Sequence, residues 1–183
     1  MHVMIDLETL GTRPDAVIIQ VGAVAFEATG RGRVYNETPF NRHVLVQDGC
    51  GTVDHGTLCF WLQEASAGRM GKALSEHAVP LQQVLQELTE FPGRVREGAT
   101  WADVEGVWSK PSSFDLPILA SAYARFGAEP PWEHWKTRCA RTLFSLTGGT
   151  PDVDQTGMVK HDAFDDALVE AMQVQAAMGG GRR

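Results

Sequence analysis

The apolar run Ile18–Phe26 is the feature that most limits how this chain can fold. Its length suits a β-strand, and apolar side chains on both of its faces indicate a strand that is covered on both sides. Such a strand lies inside a sheet that is flanked by helices. We therefore expect an α/β domain with a central strand at Ile18–Phe26.

The rest of the chain predicts two more strands near the start, followed by helices alternating with short strands. The N-terminal apolar run through Leu7 predicts the first strand and residues 38–46 the third. Short turns, one of them at 30–32, predict that the first three strands are antiparallel. The later predicted elements are a helix capped by Thr57, a helix from 81 to Pro92-Gly93, a strand at 106–108, a helix capped by Ser112 or Ser113, and a helix over 163–178.

Length and composition indicate an ordinary globular domain. With 183 residues, 43% of them hydrophobic and 21% charged, the chain can bury a full core. We expect a single domain over residues 1–178 and a flexible tail over 179–183. No apolar stretch reaches bilayer length and no secretory signal is recognisable, so we expect a cytoplasmic protein that does not bind membranes.

The net charge and the cysteine content argue against a binder of long duplexes and against a zinc protein. A net charge of −7 argues against a protein that grips long duplexes, although an enzyme that holds a few nucleotides remains compatible. The three cysteines, Cys50, Cys59 and Cys139, are an odd number and indicate reduced thiols. Cys50, His55 and Cys59 match no closed zinc spacing, so we expect no zinc site.

Asp6 and Glu8 stand two positions apart at the end of the first predicted strand. Residues at that spacing point to the same face of a strand. Two unit charges about 4 Å apart repel by about 4 kcal/mol at an effective dielectric of about 20, so the pair requires a cation. Asp103 and Glu105 repeat the spacing without partner segments, and we interpret them as solvated or structural.

Two later segments supply partners for the first acidic pair. Asp115 lies in the first turn of a helix directly after a strand, where a carboxylate also complements the helix dipole. Near the C-terminus, Asp162 is a candidate N-cap and Asp165 follows it three residues on, which explains both acids structurally. Asp166 and the preceding His161 have no such explanation and are therefore candidates for chemistry.

Three short motifs occur in order: Asp6-x-Glu8, Phe114-Asp115 and His161-x-Ala163-x-x-Asp166. With these motifs the chain resembles, over nearly its whole length, the DnaQ-like superfamily of 3′→5′ exonucleases in its DEDDh branch. It is most similar to small stand-alone prophage-type exonucleases and exoribonucleases. The resemblance implies a ribonuclease H-like α/β fold and metal-dependent hydrolysis of RNA or DNA from the 3′ end, which releases nucleoside 5′-monophosphates.

The resemblance also implies a role for each motif residue. The carboxylates that would hold two Mg²⁺ or Mn²⁺ ions are Asp6, Glu8, Asp115 and Asp166, and His161 would be the general base. Hard cations prefer oxygen ligands, and two ions can stabilise the attacking and leaving oxygens of a phosphodiester. Asp6 is expected to bridge both ions. Glu8 and Asp166 would complete the catalytic site at which water is activated, and Asp115 would serve the second ion. An imidazole with a pKa of about 6.5 can accept a proton near neutral pH.

Substrate contacts follow less directly from the motifs. By the same resemblance, the backbone around Thr9 and Leu10 would contact the terminal nucleotide. Trp61 is the candidate for an aromatic contact with a base, and burial in the core is the alternative. Arg138 and Arg141 are candidates for phosphate contacts, with a solvated surface role as the alternative. One departure from relatives is the segment 110–113 before Phe114, to which we assign no substrate contact.

The expected partner is single-stranded nucleic acid or a 3′ overhang, and relatives are often homodimers. A ribonuclease H-type endonuclease is the catalytic alternative, and a circular substrate distinguishes it because an exonuclease has no end to start from. A non-catalytic binding module on the same fold would lack at least one of the motif carboxylates or the histidine. All of them are present in this chain. The sequence leaves the choice between RNA and DNA open.

Overall fold

The computed structural model describes residues 1–28, 32–66 and 77–179. The strands are β1 (His2–Thr9), β2 (Ile18–Phe26), β3 (Phe40–His43), β4 (Gly106–Ser109) and β5 (Thr137–Cys139). The helices are α1 (His55–Ser66), α2 (Leu81–Thr89), α3 (Phe91–Val95), α4 (Asp115–Arg125), α5 (Ala140–Leu146) and α6 (Ala163–Gly179). Two 3₁₀ turns lie at Trp101–Asp103 and His134–Lys136.

The strands form one mixed sheet in the order β3-β2-β1-β4-β5. The first three strands are antiparallel, whereas β4 pairs parallel to β1 and β5 pairs parallel to β4. This confirms the predicted α/β fold with an antiparallel start. Every residue of Ile18–Phe26 is buried, as a run that is apolar except for Gln20 predicts. The strand lies inside the sheet, although β1 rather than β2 occupies its middle position.

The sequence predicts the elements themselves better than it predicts the residues at which they begin and end. Helix α1 begins at His55, so Thr57 lies in its first turn and does not cap it. Helix α4 begins at Asp115 and has no side-chain cap, so neither Ser112 nor Ser113 has the predicted capping role. The third strand, Phe40–His43, is shorter than the predicted 38–46. A serine or threonine near a helix start is a weak indicator, because packing decides which residue is the first helical one.

Two predictions fall partly on residues outside the described ranges. Of the turn at 30–32, only residue 32 is described, and of the tail at 179–183 only Gly179, which is the last residue of α6. Within the described ranges, no helix combines the length and the apolar character that crossing a bilayer requires.

The alternation of side chains along β1 separates two helical layers. Its odd-numbered residues pack with α2 and α4, in a core that includes Val3, Ile5, Leu7, Leu85 and Leu119. Its even-numbered residue Met4 packs with α6, in a core that includes Val24, Phe26, Ala167 and Ala171. Since side chains alternate along a strand, Asp6 and Glu8 share the α6 face with Met4.

Gly22 allows the start of α6 to approach the sheet closely. It pairs across the strands with Asp6, and a Cβ atom at Gly22 would lie 2.1 Å from both the backbone carbon and the oxygen of Ala163. No side chain fits at that distance, so the first turn of α6 would have to move. The contact therefore fixes the distance between the start of α6 and the acidic face of β1.

We predict that Gly22→Ala lowers the free energy of unfolding by about 1–3 kcal/mol and reduces activity, because it pushes α6 away from β1. Urea unfolding and a nuclease assay would measure both effects. Gly56→Ala is the matched control, since Gly56 has nothing within 4 Å of its ideal Cβ position and lies in the first turn of α1. Unchanged stability and activity in Gly22→Ala would contradict this account of the contact.

Candidate active site

Asp6 and Glu8 lie at the end of β1, opposite Gly22 and Gln20 of β2. The pairing of β1 with β2 shifts register between Glu8 and Thr9, so the ladder becomes irregular directly after the acidic pair. Glu8 is only 9% exposed. Two carboxylates are thus held on a rigid strand at the point where it leaves the regular sheet.

Asp115 reaches the same region from the start of α4. Its side chain is almost fully enclosed, at 2% exposure, and the backbone of Leu7 lies near enough to its carboxylate to act on the pKa, lowering it. Leu7 lies between Asp6 and Glu8 along β1. The charge of Asp115 also raises the pKa of both Asp6 and Glu8, so its carboxylate lies beside the acidic pair.

A buried polar network holds the start of α6 against β2 and β3. The Gln20 Nε2 atom donates to Asn41 Oδ1 at 2.8 Å and to Asp162 Oδ2 at 3.0 Å, and Asn41 Nδ2 donates to Asp162 Oδ1 at 3.2 Å. Asp162 Oδ1 also accepts from the backbone N–H groups of Phe164 and Asp165. Asp162 is therefore the N-cap of α6, as the sequence predicts.

The segment before α6 orients His161 toward Asp166. His161 adopts a left-handed backbone conformation with φ 63°, which is uncommon outside glycine. Its backbone N–H donates to Asp166 Oδ2 at 2.9 Å, and the backbone N–H of Val159 donates to Asp165 Oδ2 at 2.8 Å. Asp165 thus has a structural role, whereas one Asp166 oxygen fixes the histidine backbone.

Glu8, His161 and Asp166 meet at one point. One potential ligand atom of each lies within 4.8 Å of those of the other two. They come from the end of β1, the loop before α6 and the first turn of α6. A strand, a loop and a helix therefore bring together two carboxylates and an imidazole that are separated by about 150 positions in the chain.

Burial is the largest cause of the raised pKa values in this cluster. It raises the pKa of Glu8 to about 8, with the charges of Asp166 and Asp115 adding to the effect. It raises the pKa of Asp115 to about 7, reinforced by the charge of Glu170. The pKa of Asp6 lies well above its ordinary value, because burial is reinforced by neighbouring negative charges, those of Asp115 and Glu170 first.

Asp166 differs from Asp6, Glu8 and Asp115 because nearby positive charges lower its pKa. Burial raises its pKa, while the hydrogen bond from the His161 backbone and the charges of His161 and Lys110 act in the opposite direction. The positive charges near these four carboxylates therefore do not balance their negative charge. Divalent cations with oxygen-preferring chemistry suit such a donor set, and the described residues offer carboxylates and an imidazole but no organised thiolates.

Glu170 is a further acid that the sequence motifs missed. It follows Asp166 by one helical turn and therefore shares its face of α6. Its side chain is 7% exposed, and its Oε1 atom lies 3.1 Å from Lys110 Nζ. The spacing of four from Asp166 was visible in the sequence, but a glutamate at that spacing is equally common on exposed helix faces.

The structure places the two neighbouring aromatic residues of α1, Phe60 and Trp61, in different surroundings. Trp61 is only 1% exposed and its Nε1 atom donates to the backbone oxygen of Thr9 at 2.8 Å. This burial favours the alternative of a core residue over a contact with a base, and the hydrogen bond ties Trp61 to the end of β1. Phe60, at 37% exposure, instead presents a free surface, and its ring packs edge-on against His161 at 5.0 Å between centroids.

The other predicted substrate contacts differ in how near they lie to the acidic cluster and in whether their polar groups are already used. Both backbone groups of Leu10 are used internally, by Val17 and Asp54. Arg138 donates to the backbone oxygens of Trp135 and Thr137, and its charge acts on His2 at the start of β1. The structure therefore does not bring Arg138 to the acidic cluster. Arg141 is exposed, and its charge acts on Glu170.

Asp103 and Glu105, which repeat the Asp-x-Glu spacing, have structural roles as expected. Asp103 Oδ2 accepts from the backbone N–H and the hydroxyl of Thr100, which forms a capping box at the 3₁₀ turn. Glu105 is exposed, and its Oε1 atom accepts a hydrogen bond from the amino group of Met1 at 3.0 Å. Neither carboxylate belongs to the cluster around Glu8.

Comparison with known proteins agrees with this geometry. The family model of the Rv2179c-like domain, described as a 3′-5′ exoribonuclease, matches residues 1–178. The chain belongs to this family. As a member of the Rv2179c-like family it is a 3′→5′ exonuclease, which confirms the predicted class of enzyme. No curated protein matches the chain in sequence.

Two solved structures share the fold of this family member. Exonuclease X in complex with 5′ overhanging duplex DNA has a TM-score of 0.62 and 18% identity, covering 99% of this chain and 93% of that one. The nuclease domain of 3′hExo, a DEDDh family member bound to rAMP, has a TM-score of 0.58 and 14% identity, covering 98% and 92%. These similarities confirm the predicted ribonuclease H-like fold of the DEDDh exonucleases.

We predict that the metal-free protein loses thermal stability as the pH rises from about 4.5, the ordinary pKa of a glutamate, to about 8, the pKa of Glu8 in the fold. A carboxyl group whose pKa is higher in the folded than in the unfolded chain stabilises the fold at low pH, and this contribution is lost as the pH rises through the folded pKa. For Glu8 that value is about 8 and for Asp115 about 7. Melting temperatures measured in chelator across this range test the effect.

The variant Asp6→Asn isolates the contribution of charge repulsion. At about pH 8 in chelator it should melt about 2–4 °C higher than the wild type, which corresponds to about 1 kcal/mol in a chain of this size. Asp103→Asn is the matched control: its carboxyl has a lowered pKa, so it should melt lower without changing the pH slope. An equally steep pH slope in Asp6→Asn would contradict the prediction.

Proposed function

We propose that this exonuclease hydrolyses RNA from a single-stranded 3′ end and releases nucleoside 5′-monophosphates, using two divalent cations. The observation that carries the proposal is the meeting of Glu8, His161 and Asp166 within 4.8 Å. A buried acidic cluster with an adjacent imidazole supplies both cation ligands and a proton acceptor. We further propose that residues 1–178 act as a single catalytic domain.

Asp6, Glu8, Asp115 and Asp166 are the proposed cation ligands. Bound Mg²⁺ or Mn²⁺ ions would supply Lewis-acid stabilisation of the attacking and leaving oxygens. Asp6 is suited to a bridging position because it interacts electrostatically with Asp115 and Glu170 as well as with Glu8 and Asp166. The separate contact of Glu8 with Asp166 and His161 supports their assignment to the side on which water attacks.

His161 is the proposed general base. Its ring lies near the carboxylates of Glu8 and Asp166 and also packs edge-on against Phe60. The imidazole would take the proton of the attacking water, and its backbone hydrogen bond to Asp166 keeps the ring near that carboxylate. The histidine is therefore positioned through its main chain and through an aromatic contact.

Phe60 is the proposed stacking surface for the terminal base. It is the exposed aromatic residue that touches His161, so a base resting on it would bring the last phosphodiester near the cluster. Arg141 is the arginine that we propose for phosphate binding. Its charge lowers the pKa of Glu170, so it lies near the acidic cluster. The backbone around Thr9 is the proposed contact for the terminal nucleotide, and the hydrogen bond from Trp61 holds this end of β1 in place.

RNA is favoured because the family is described as exoribonucleases. The similarity to Exonuclease X, which is bound to duplex DNA with a 5′ overhang, supports DNA as the alternative substrate. A homodimer is also proposed by analogy with relatives, and light scattering would test it.

We predict that the wild type degrades 5′-labelled RNA to a ladder that shortens from the 3′ end, and that chelator stops the reaction. DNA of the same sequence should be cut more slowly, and a circular RNA should resist. Time courses with labelled oligonucleotides in Mg²⁺, Mn²⁺ and chelator measure polarity, sugar preference and cation dependence. Cleavage of the circle would favour the endonuclease alternative.

In the same assay, Asp6→Asn should lower kcat by at least about a thousandfold, because it removes the proposed bridging ligand. His161→Asn should lower kcat by about 10²–10⁴-fold, since asparagine tolerates the left-handed backbone but is not a base. His134→Asn, at an exposed position outside the cluster, is the control. Near-wild-type turnover in Asp6→Asn would contradict the assigned site.

Phe60→Ala should raise KM by about tenfold with a smaller change in kcat, because it removes a stacking surface. Leu62→Ala is the matched control: it is 64% exposed on the same helix, and residues two apart on a helix do not share a face. Steady-state kinetics on a short RNA measure both values. Equal KM values for the two variants would contradict the role of Phe60.

A further inference from the structure

The ion pair between Glu170 and Lys110 lies directly beside the acidic cluster. Glu170 is one helical turn beyond Asp166 on α6, and Lys110 directly follows β4 on the segment that leads to Asp115. Their charged atoms are 3.1 Å apart. Lys110 also lines a cavity of about 350 Å³ together with Asp166 and Gln173. The pair thus connects two elements that carry proposed cation ligands.

Only one of the two Glu170 oxygens is used by this ion pair. Oε1 faces Lys110, whereas Oε2 is buried and has no hydrogen-bond partner among the residues that the structure describes. An unpaired buried carboxylate oxygen costs free energy, and one lysine does not offset it fully. A glutamate that served packing alone would be replaced at lower cost by an apolar residue of similar volume.

The charge of Glu170 acts on the cation ligands themselves. Among neighbouring charges, Glu170 has the largest effect on the pKa of Asp115 and the second largest on that of Asp6, raising both. Lys110 acts in the opposite sense, since it lowers the pKa of Asp166 and that of Glu170. Glu170 therefore adds negative charge to the centre and Lys110 removes it.

We propose that Glu170 is a fifth carboxylate of the cation centre, and that Lys110 limits the cation affinity of the centre by neutralising it. The pair acts as two positioning residues with opposite effects: the glutamate strengthens binding of a divalent cation and the lysine weakens it. This inference rests on the proposed function, because it takes Asp6, Asp115 and Asp166 as cation ligands.

Binding of Mn²⁺ to the metal-free full-length protein, without nucleic acid, tests the proposal. Free Mn²⁺ is counted by electron paramagnetic resonance during a titration, so the readout is independent of turnover. The variants are Glu170→Gln, Lys110→Met and the double variant, and circular dichroism checks that each is folded. Lys136→Met and Glu133→Gln are matched controls, because these residues form an ion pair at 3.3 Å beside a 3₁₀ turn that contributes no site residue.

Glu170→Gln should weaken Mn²⁺ binding by about tenfold and Lys110→Met should strengthen it by about tenfold. The double variant should return to within about twofold of the wild type, as two opposite and independent contributions require. The two control variants should leave the affinity unchanged. Opposite signs are decisive, since a purely structural ion pair would weaken binding when either partner is removed.

Two results overturn the proposal. If both single variants weaken binding, or neither changes it, while Asp6→Asn abolishes it, the cation centre stands and the role of Glu170 and Lys110 falls. If the wild type itself binds no Mn²⁺ saturably, the proposed function and this inference fail together.

Discussion

The backbone contact between Gly22 of β2 and Ala163 of α6 is the constraint on which the site depends. It lets the helix start lie directly on the sheet, opposite Asp6, where any side chain would force the two apart. The buried network around Asp162 then fixes the same helix start laterally, through Gln20 and Asn41. The packing of α6 on the sheet thereby holds together acids that repel each other. The stability of the rest of the fold offsets this repulsion.

The sheet, its antiparallel start and the motif residues could all be predicted from the sequence, because they depend on periodicity and on order along the chain. A run that is apolar on both faces identifies β2, and a spacing of two places Asp6 and Glu8 on one face. Neither inference requires knowledge of distant contacts. The structure adds that the shared face is the one covered by α6.

What could not be predicted depends on tertiary packing. Trp61 and Phe60 are adjacent, and only the docking of α1 on the backbone oxygen of Thr9 decides which ring is buried. Glu170 lacks a motif, and its position beside Lys110 follows from the way α6 packs against the segment after β4. Helix caps could not be predicted either: α4 begins at Asp115 without any side-chain cap, although two serines precede it closely.

The crowding of carboxylates at one end of β1 has a consequence for the order of binding. A phosphodiester is itself an anion, so the cation-free cluster presents it with a repulsive local field in a poorly screened, partly buried setting. Only bound cations reverse the sign of that field. If the proposed cation ligands are correct, nucleic acid would find a receptive surface only after the ions have bound, and the free divalent cation concentration would control substrate binding as well as hydrolysis.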